Sequence, residues 1–166
     1  MMASPNGTMT SRERMRRAMD LQAPDRVPFD FGSTAISSIA AFAYEKLKRH
    51  LGVDSETNIL AKQGQVAFVD ESILEKFCID TRPLILNLPE NWKDVVIDPF
   101  TYEDEWGVQW RRPEESNSYF LLKGCFEGDS NGTIDAIRRF NWPDPKDPGR
   151  YRGLREEAQK LHDETE

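Results

Sequence analysis

Arg26-Val27-Pro28-Phe29-Asp30-Phe31-Gly32 is the stretch on which the fold turns. Val27, Phe29 and Phe31 alternate with Pro28 and Asp30, which predicts a strand over 26–31, released at its end by glycine. Ser33 or Thr34 then offers a hydroxyl cap for a helix in which Ile36, Ile39, Ala40, Ala43, Leu47 and Leu51 share one face. Lys46, Lys48 and Arg49 suit the negative end of that helix, and Gly52 can terminate it. Residues 54–68 mix Gly, Asn and Gln with scattered apolar positions and carry no clear pattern. Asp70 can cap a short helix with Ile73, Leu74 and Phe77 facing inward, and 79–86 is an apolar run of strand length. The order strand, helix, irregular segment, helix, strand predicts a crossover between parallel strands, and hence an α/β fold.

Upstream, Thr10 and Glu13 have the spacing of a capping box, followed by a helix with Met15, Ala18 and Met19 on one face and arginines on the other. Residues 1–8 are small and polar and read as a flexible leader. Downstream of Asn87 the pattern changes. Trp106, Val108 and Trp110 alternate, 119–122 is a second extended run, and 113–117 supplies turn residues, which together predict an antiparallel hairpin inserted within 87–128. Residues 133–140 predict a short helix with Ile134 and Ile137 inward. The proline-rich 142–148 forces an extended connection, and Tyr151, Leu154, Ala158 and Leu161 mark a last helix.

A chain of about 150 residues buries roughly 70% of its unfolded surface, so a chain of this length has enough for a real core. With 38% hydrophobic and 31% charged residues the 166-residue chain falls among soluble globular proteins. Its net charge of −7 comes from interleaved acids and bases, so no basic face attracts nucleic acid or anionic lipid. Cys78 and Cys125 read as free thiols of a reducing compartment, and two cysteines with the isolated His50 and His162 make no metal site. No signal peptide or membrane-length apolar run is recognisable, which leads to a cytoplasmic expectation. The Asn-Gly-Thr triplets at Asn6 and Asn131 read as turns.

Four residues are candidates for ligand contact. Asp30 sits near the carboxyl end of the first expected strand, and Ser33 and Thr34 follow it where a helix amino terminus would expose backbone N–H groups to an anion. Asn87 lies just past the second expected strand. The blander reading is that Ser33 or Thr34 only caps the helix and Asp30 faces solvent or pairs with an arginine. Asp80 stands at the start of its run, where a structural ion pair or turn bond is expected. The acidic run 103–105 reads as solvated charge, and Trp106, Trp110, Tyr119 and Phe120 read either as hairpin core or as a pocket for a flat macrocycle. No complete catalytic constellation is present.

Met9-Thr10-Ser11-Arg12-Glu13-Arg14, Pro24-Asp25-Arg26-Val27-Pro28, Ile79-Asp80-Thr81-Arg82-Pro83, Asp104-Glu105-Trp106-Gly107-Val108, and Trp142-Pro143-Asp144-Pro145 ahead of Leu154-Arg155-Glu156-Glu157-Ala158 occur in this order. The series resembles the amino-terminal part of the uroporphyrinogen decarboxylase superfamily, which includes porphyrinogen decarboxylases and corrinoid-dependent methyltransferases. The resemblance spans nearly all of 9–164. It implies the amino-terminal part of a (β/α)8 TIM-like barrel over 9–166, with 27–31 and 79–86 as its first two strands and the Trp106 region as an inserted hairpin. A complete barrel typically needs about 250 residues.

Family decarboxylases place an arginine-rich loop after the first strand and an essential aspartate after the second. Here 32–38 holds no arginine, and Asn87 stands at the aspartate's position. The resemblance therefore favours the methyltransferase-like branch, with a small methyl donor or a tetrapyrrole-like ligand such as a corrinoid. In that branch zinc is bound by His and Cys of the carboxy-terminal half, so no cofactor is expected within this chain, which alone is expected to be inactive. The other class left open is a non-catalytic binding or interaction module, half of a split protein docking on a partner. Exposed strand edges would predict self-association or a bound partner supplying the missing half.

Overall fold

The computed structural model describes residues 8–127 and 133–165; the leader up to residue 7 and the triplets at Asn6 and Asn131 lie outside them. In chain order the elements are α1 (Ser11–Met19), α2 (Ala41–Leu51), β1 (Ile59–Ala61), β2 (Val66–Ala67), α3 (Glu71–Lys76), β3 (Val95–Asp98), β4 (Thr101–Glu103), β5 (Gln109–Arg111), β6 (Phe120–Lys123), α4 (Ile134–Arg139), α5 (Pro148–Tyr151) and α6 (Leu154–Glu164). They form two compact units, the first from residues up to 61, 66–85 and 153 onward, the second from 62–65 and 86–152. The class is mixed α/β. Among the described residues every strand pairing is antiparallel and no barrel closes.

In the first unit, α1 begins as the sequence predicts: the Thr10 hydroxyl accepts from Glu13 N, and the Glu13 carboxylate accepts from Thr10 N. Its inward residue is not the expected one. Arg14 is 1% exposed, whereas Met19 is 77% exposed. The core joins Tyr44, Ala67, Val69, Ile73, Leu74 and Ile79, with Phe31, Ile39, Leu47 and Leu51 packed around them. Each fully buried aliphatic side chain of this kind contributes about 1.5–3 kcal/mol. Asp70 begins α3 without its carboxylate accepting from the helix end, because that carboxylate accepts from Tyr44 Oη and Ser55 Oγ at 2.9 and 2.7 Å. Lys48 is also buried, and its ammonium donates to Ser55 O at 2.6 Å.

Three expectations for this unit are corrected. The helix does not start at Ser33 or Thr34 but at Ala41. Ile39 O accepts from Ala67 N at 2.8 Å and Ala40 bridges Val66, so 39–40 is drawn into extended pairing and the helix is displaced. The runs 26–31 and 79–86 lie side by side but form no strands. They share one ladder-type bond, Asp80 N to Phe29 O at 2.9 Å, while Phe29 N donates to the Asp80 carboxylate instead of a carbonyl. Pro28 and Pro83 remove a donor from each run, so the expected parallel pair does not propagate. Finally, the patternless 54–68 contains the short β1–β2 hairpin.

In the second unit the expected hairpin is the β5–β6 half of a four-stranded meander in the order β3-β4-β5-β6. Tyr102 of β4 is 3% exposed; its ring meets Tyr119 edge-on at 5.0 Å and carries the Lys62 ammonium 3.6 Å from its centroid. The 103–105 run is not solvated charge. Asp104 accepts from Trp110 Nε1 at 2.7 Å and from the N–H groups of Trp106 and Val108, and Glu105 pairs with Arg150. Trp106 stacks edge-on with Trp142 rather than joining Tyr119, so the four aromatic candidates line no common pocket. In α4 the inward residue is Ala136; Ile134 and Ile137 are exposed.

Gly32 fixes where the chain turns after the Phe31 segment. Its φ is +93°, and an added Cβ would lie 2.8 Å from Val69 Cγ2. Gly32→Ala is expected to cost about 2 kcal/mol or more through backbone strain and overpacking. Urea unfolding measures it; a midpoint equal to that of the parent chain would contradict this account.

Candidate functional site

Two polar clusters of the first unit meet where 26–34 and 79–82 approach. The first centres on Asp80, whose side chain is fully buried. Its carboxylate accepts from Arg14 Nη1 at 2.5 Å, Arg26 Nη1 at 2.6 Å, Ser11 Oγ at 2.8 Å and Phe29 N at 2.7 Å. Arg14 also binds Asp25, with Nε to Oδ1 at 2.7 Å, and Asp25 caps the chain entry by accepting from Met9 N at 2.8 Å. The Arg26 guanidinium lies over the Phe29 ring at 4.4 Å and donates to Cys78 O. Burial raises the Asp80 carboxyl, but donors from Phe29, Arg26, Ser11 and Arg14 outweigh it and hold the group below the usual carboxylate range. The Arg14 guanidinium holds the Asp25 carboxyl lower as well.

This is the structural ion pair expected for Asp80, with two arginines rather than one. Arg14 and Asp25 were not singled out as partners from the sequence. The available signal was their place inside the phrases 9–14 and 24–28, which meet at this carboxylate.

The second cluster holds Asp30, Ser33 and Thr34. Asp30 Oδ1 accepts from Thr81 Oγ1 at 2.5 Å and from Ser33 N at 3.2 Å. Thr34 N donates to Ser37 Oγ at 3.2 Å, and Ser37 N to Thr34 Oγ1 at 3.2 Å, closing a tight hydroxyl turn. Burial raises the Asp30 carboxyl, and hydrogen bonds from Thr81, Ser33 and Ser37 lower it by more, so it is ionised at neutral pH. Because no helix starts here and these N–H groups are already engaged, the expected anion-binding helix terminus is absent. Asp30 makes no ion pair among the described residues. The cluster is a half-exposed acceptor edged with hydroxyls, suited to a ligand that offers hydroxyl, amide or ammonium donors.

Asn87 belongs to the second unit. Its backbone N–H donates to Arg150 O at 3.1 Å and its amide Nδ2 to Arg152 O at 2.8 Å, so it clamps the 150–152 segment. Both cysteines are half-buried. Among the described residues no group of three or more His, Cys, Asp and Glu could hold a metal, and no helix is long and apolar enough to cross a membrane.

Comparison with protein-family models, with curated proteins and with solved structures gave no match.

Asp80 and Asp25 titrate below their ordinary value of 3.8 in the folded chain. A depressed carboxyl contributes stability that is fully present above the unfolded value and is lost as pH falls through the folded one. Thermal midpoints are therefore expected to hold down to about pH 4 and then fall. Asp80→Asn leaves two guanidinium groups against a neutral partner and is expected to cost about 3–5 kcal/mol at pH 7, with a shallower acid limb. Calorimetry across pH 7 to 2 checks both; an acid limb of unchanged slope in the variant would assign the acid sensitivity elsewhere.

Proposed function

We propose that this chain is the amino-terminal part of a uroporphyrinogen decarboxylase-superfamily enzyme of the methyltransferase-like branch, a (β/α)8 barrel in which Asp30, Ser33 and Thr34 form part of the wall facing a tetrapyrrole-like ligand such as a corrinoid. The observation that carries this reading is the Asp80 carboxylate, which gathers Ser11 and Arg14, Arg26 and Phe29, and its own segment into one knot. Three of the phrases on which the resemblance rests are thus spent on a single buried contact. Such a contact would fix the entry of a first barrel strand against a second.

Within the family the ligand chemistry favours one branch. Asp30 is ionised, makes no ion pair among the described residues, and is followed by a loop without arginine. A substrate bearing many carboxylates would be repelled there. The amide side chains around a corrinoid, by contrast, offer N–H donors that the Asp30 carboxylate can accept, with Ser33 and Thr34 orienting neighbouring carbonyls. The described residues offer no ligand set for zinc.

A second reading, the non-catalytic interaction module, draws on Leu84, Ile85, Leu86 and Leu88, which are 41–57% exposed. An apolar run left open in this way suits a docking partner.

The readings separate in a titration of the 166-residue chain with hydroxocobalamin, and in parallel with uroporphyrin, followed by difference absorbance or calorimetry. The corrinoid reading expects hydroxocobalamin to bind and uroporphyrin to bind less well. Asp30→Ala should weaken the corrinoid by roughly tenfold or more, the value of a hydrogen bond to a charged acceptor. Binding of neither compound, or corrinoid binding indifferent to Asp30→Ala, would overturn it. Preference for uroporphyrin would return the chain to the decarboxylase branch.

A further inference from the structure

In the first unit, the apolar stripe of α6, made of Leu154, Ala158 and Leu161, is only half-buried, and no residue of this helix is fully enclosed. The last turn is held by Arg12, whose Nη2 donates to His162 O at 2.5 Å and to Thr165 O at 2.9 Å. Helices α3 and α6 share the wall of a cavity of about 320 Å³, within the range of about 300–1,000 Å³ in which small-molecule sites fall. Its apolar part is built from Phe68, Val69, Leu74, Pro83 and Leu161. A second cavity, of about 270 Å³, shares Glu71, Glu75, Arg82, Glu164 and Thr165 with the first and continues past Ser11 and Asp80. The two adjoin as one groove, apolar at the Phe68 end and polar at the Ser11 end, and every residue of it belongs to the first unit.

We propose that this groove binds an organic cation, an ammonium or guanidinium group carried on an apolar chain or ring. Its charge would lie by Glu75 and Glu164 and its apolar body against Phe68, Leu74 and Leu161. Three considerations select this class. First, the arginine of the groove is already committed: Arg82 Nε donates to both Glu71 oxygens at 2.8 Å, and Nη1 donates to Ile79 O and Thr81 O at 2.9 Å. Asp80 is likewise matched by Arg14 and Arg26. Second, Glu75, Glu157 and Glu164 make no ion pair among the described residues, and Lys160 is the cation that remains to set against these three carboxylates. An anionic ligand is repelled by that balance and a cation is attracted. Third, among the described residues no three His, Cys, Asp or Glu converge closely enough to hold a metal ion, whereas Glu75 and Glu164 line both cavities and so stand where the apolar wall gives way to the polar one. A molecule that is apolar along its body and charged at one end matches that gradient, and a bare ion does not.

The test is a titration of the 166-residue chain with three probes of similar shape, phenethylamine, phenethyl alcohol and hydrocinnamate, followed by amide NMR shifts. Phenethylamine is expected to saturate, with its shifts confined to α3, α6 and the 68–69 and 82–83 segments. The alcohol should bind about tenfold more weakly, and the carboxylate more weakly still. At about 1 M salt, where the Debye length is about 3 Å, most of the amine's advantage over the alcohol should disappear. Two variants divide the groove, and circular dichroism verifies that each is folded. Glu75→Gln combined with Glu164→Gln should bring the amine down to the level of the alcohol. Leu161→Trp, which narrows the apolar end, should weaken amine and alcohol alike by roughly tenfold. The proposal is overturned by phenethylamine that does not saturate, by hydrocinnamate binding as tightly as the amine, by a preference for the amine that survives the double variant, or by binding indifferent to Leu161→Trp. No corrinoid or porphyrin enters any of these titrations and Asp30 is left intact, so their failure leaves the proposed function to its own test.

Discussion

One buried carboxylate organises the first unit. Asp80 collects two guanidinium groups, a hydroxyl and a backbone N–H, and through them ties α1, the 24–29 segment and the 79–82 segment together. Burying a carboxylate beside two arginines is costly unless every lone pair and proton is matched, and the return lies in geometry more than in net energy. Neutral packing in the same volume could be as stable but would not dictate which segments meet. The second carboxylate, Asp25, turns the same Arg14 toward residues 8 and 9 and so sets the approach to α1.

The same constraint accounts for what could and could not be read from the chain. The capping box of α1 and the end of α2 at Gly52 follow from contacts within a few residues, and both were legible. The start of α2 was not, because Ile39 and Ala40 are claimed by β2, some 26 residues downstream in the case of Ala40 and Val66. Apolar alternation at Val27, Phe29 and Phe31 looks like a strand, yet the N–H that would extend a ladder is taken by Asp80. Periodicity counts apolar positions and cannot see a long-range side-chain acceptor. The inward face of α1 was misread for a related reason: a helix normally hides its apolar stripe, and this one hides Arg14 because Asp25 and Asp80 wait for it.

The candidate site divides along the same line. Asp30, Ser33 and Thr34 were legible as a polar group and do come together, with Thr81 as a further partner. Their expected helix terminus did not survive the displacement of α2. Asn87 stands just past an expected strand; with that strand absent, its backbone N–H and its side-chain amide clamp Arg150 O and Arg152 O. In the second unit, β5 announces itself by the alternation of Trp106, Val108 and Trp110, and β6 by the extended run 119–122. The partner strand β4 is too short and too polar to do so, and what holds it is the enclosure of Tyr102.

Tyr102 has a counterpart, since Tyr44 is equally enclosed in the first unit, and burial followed by the Asp70 carboxylate pushes its phenol up to about 12. Burial, and after it the nearby Asp94 and Asp104 carboxylates, lift the Tyr102 phenol as well. Each compact unit thus contains a phenol that keeps its proton, and so lacks the red-shifted absorbance of a phenolate, until its own surroundings open. In alkaline solution the delayed appearance of phenolate absorbance would report this loosening without any label being attached.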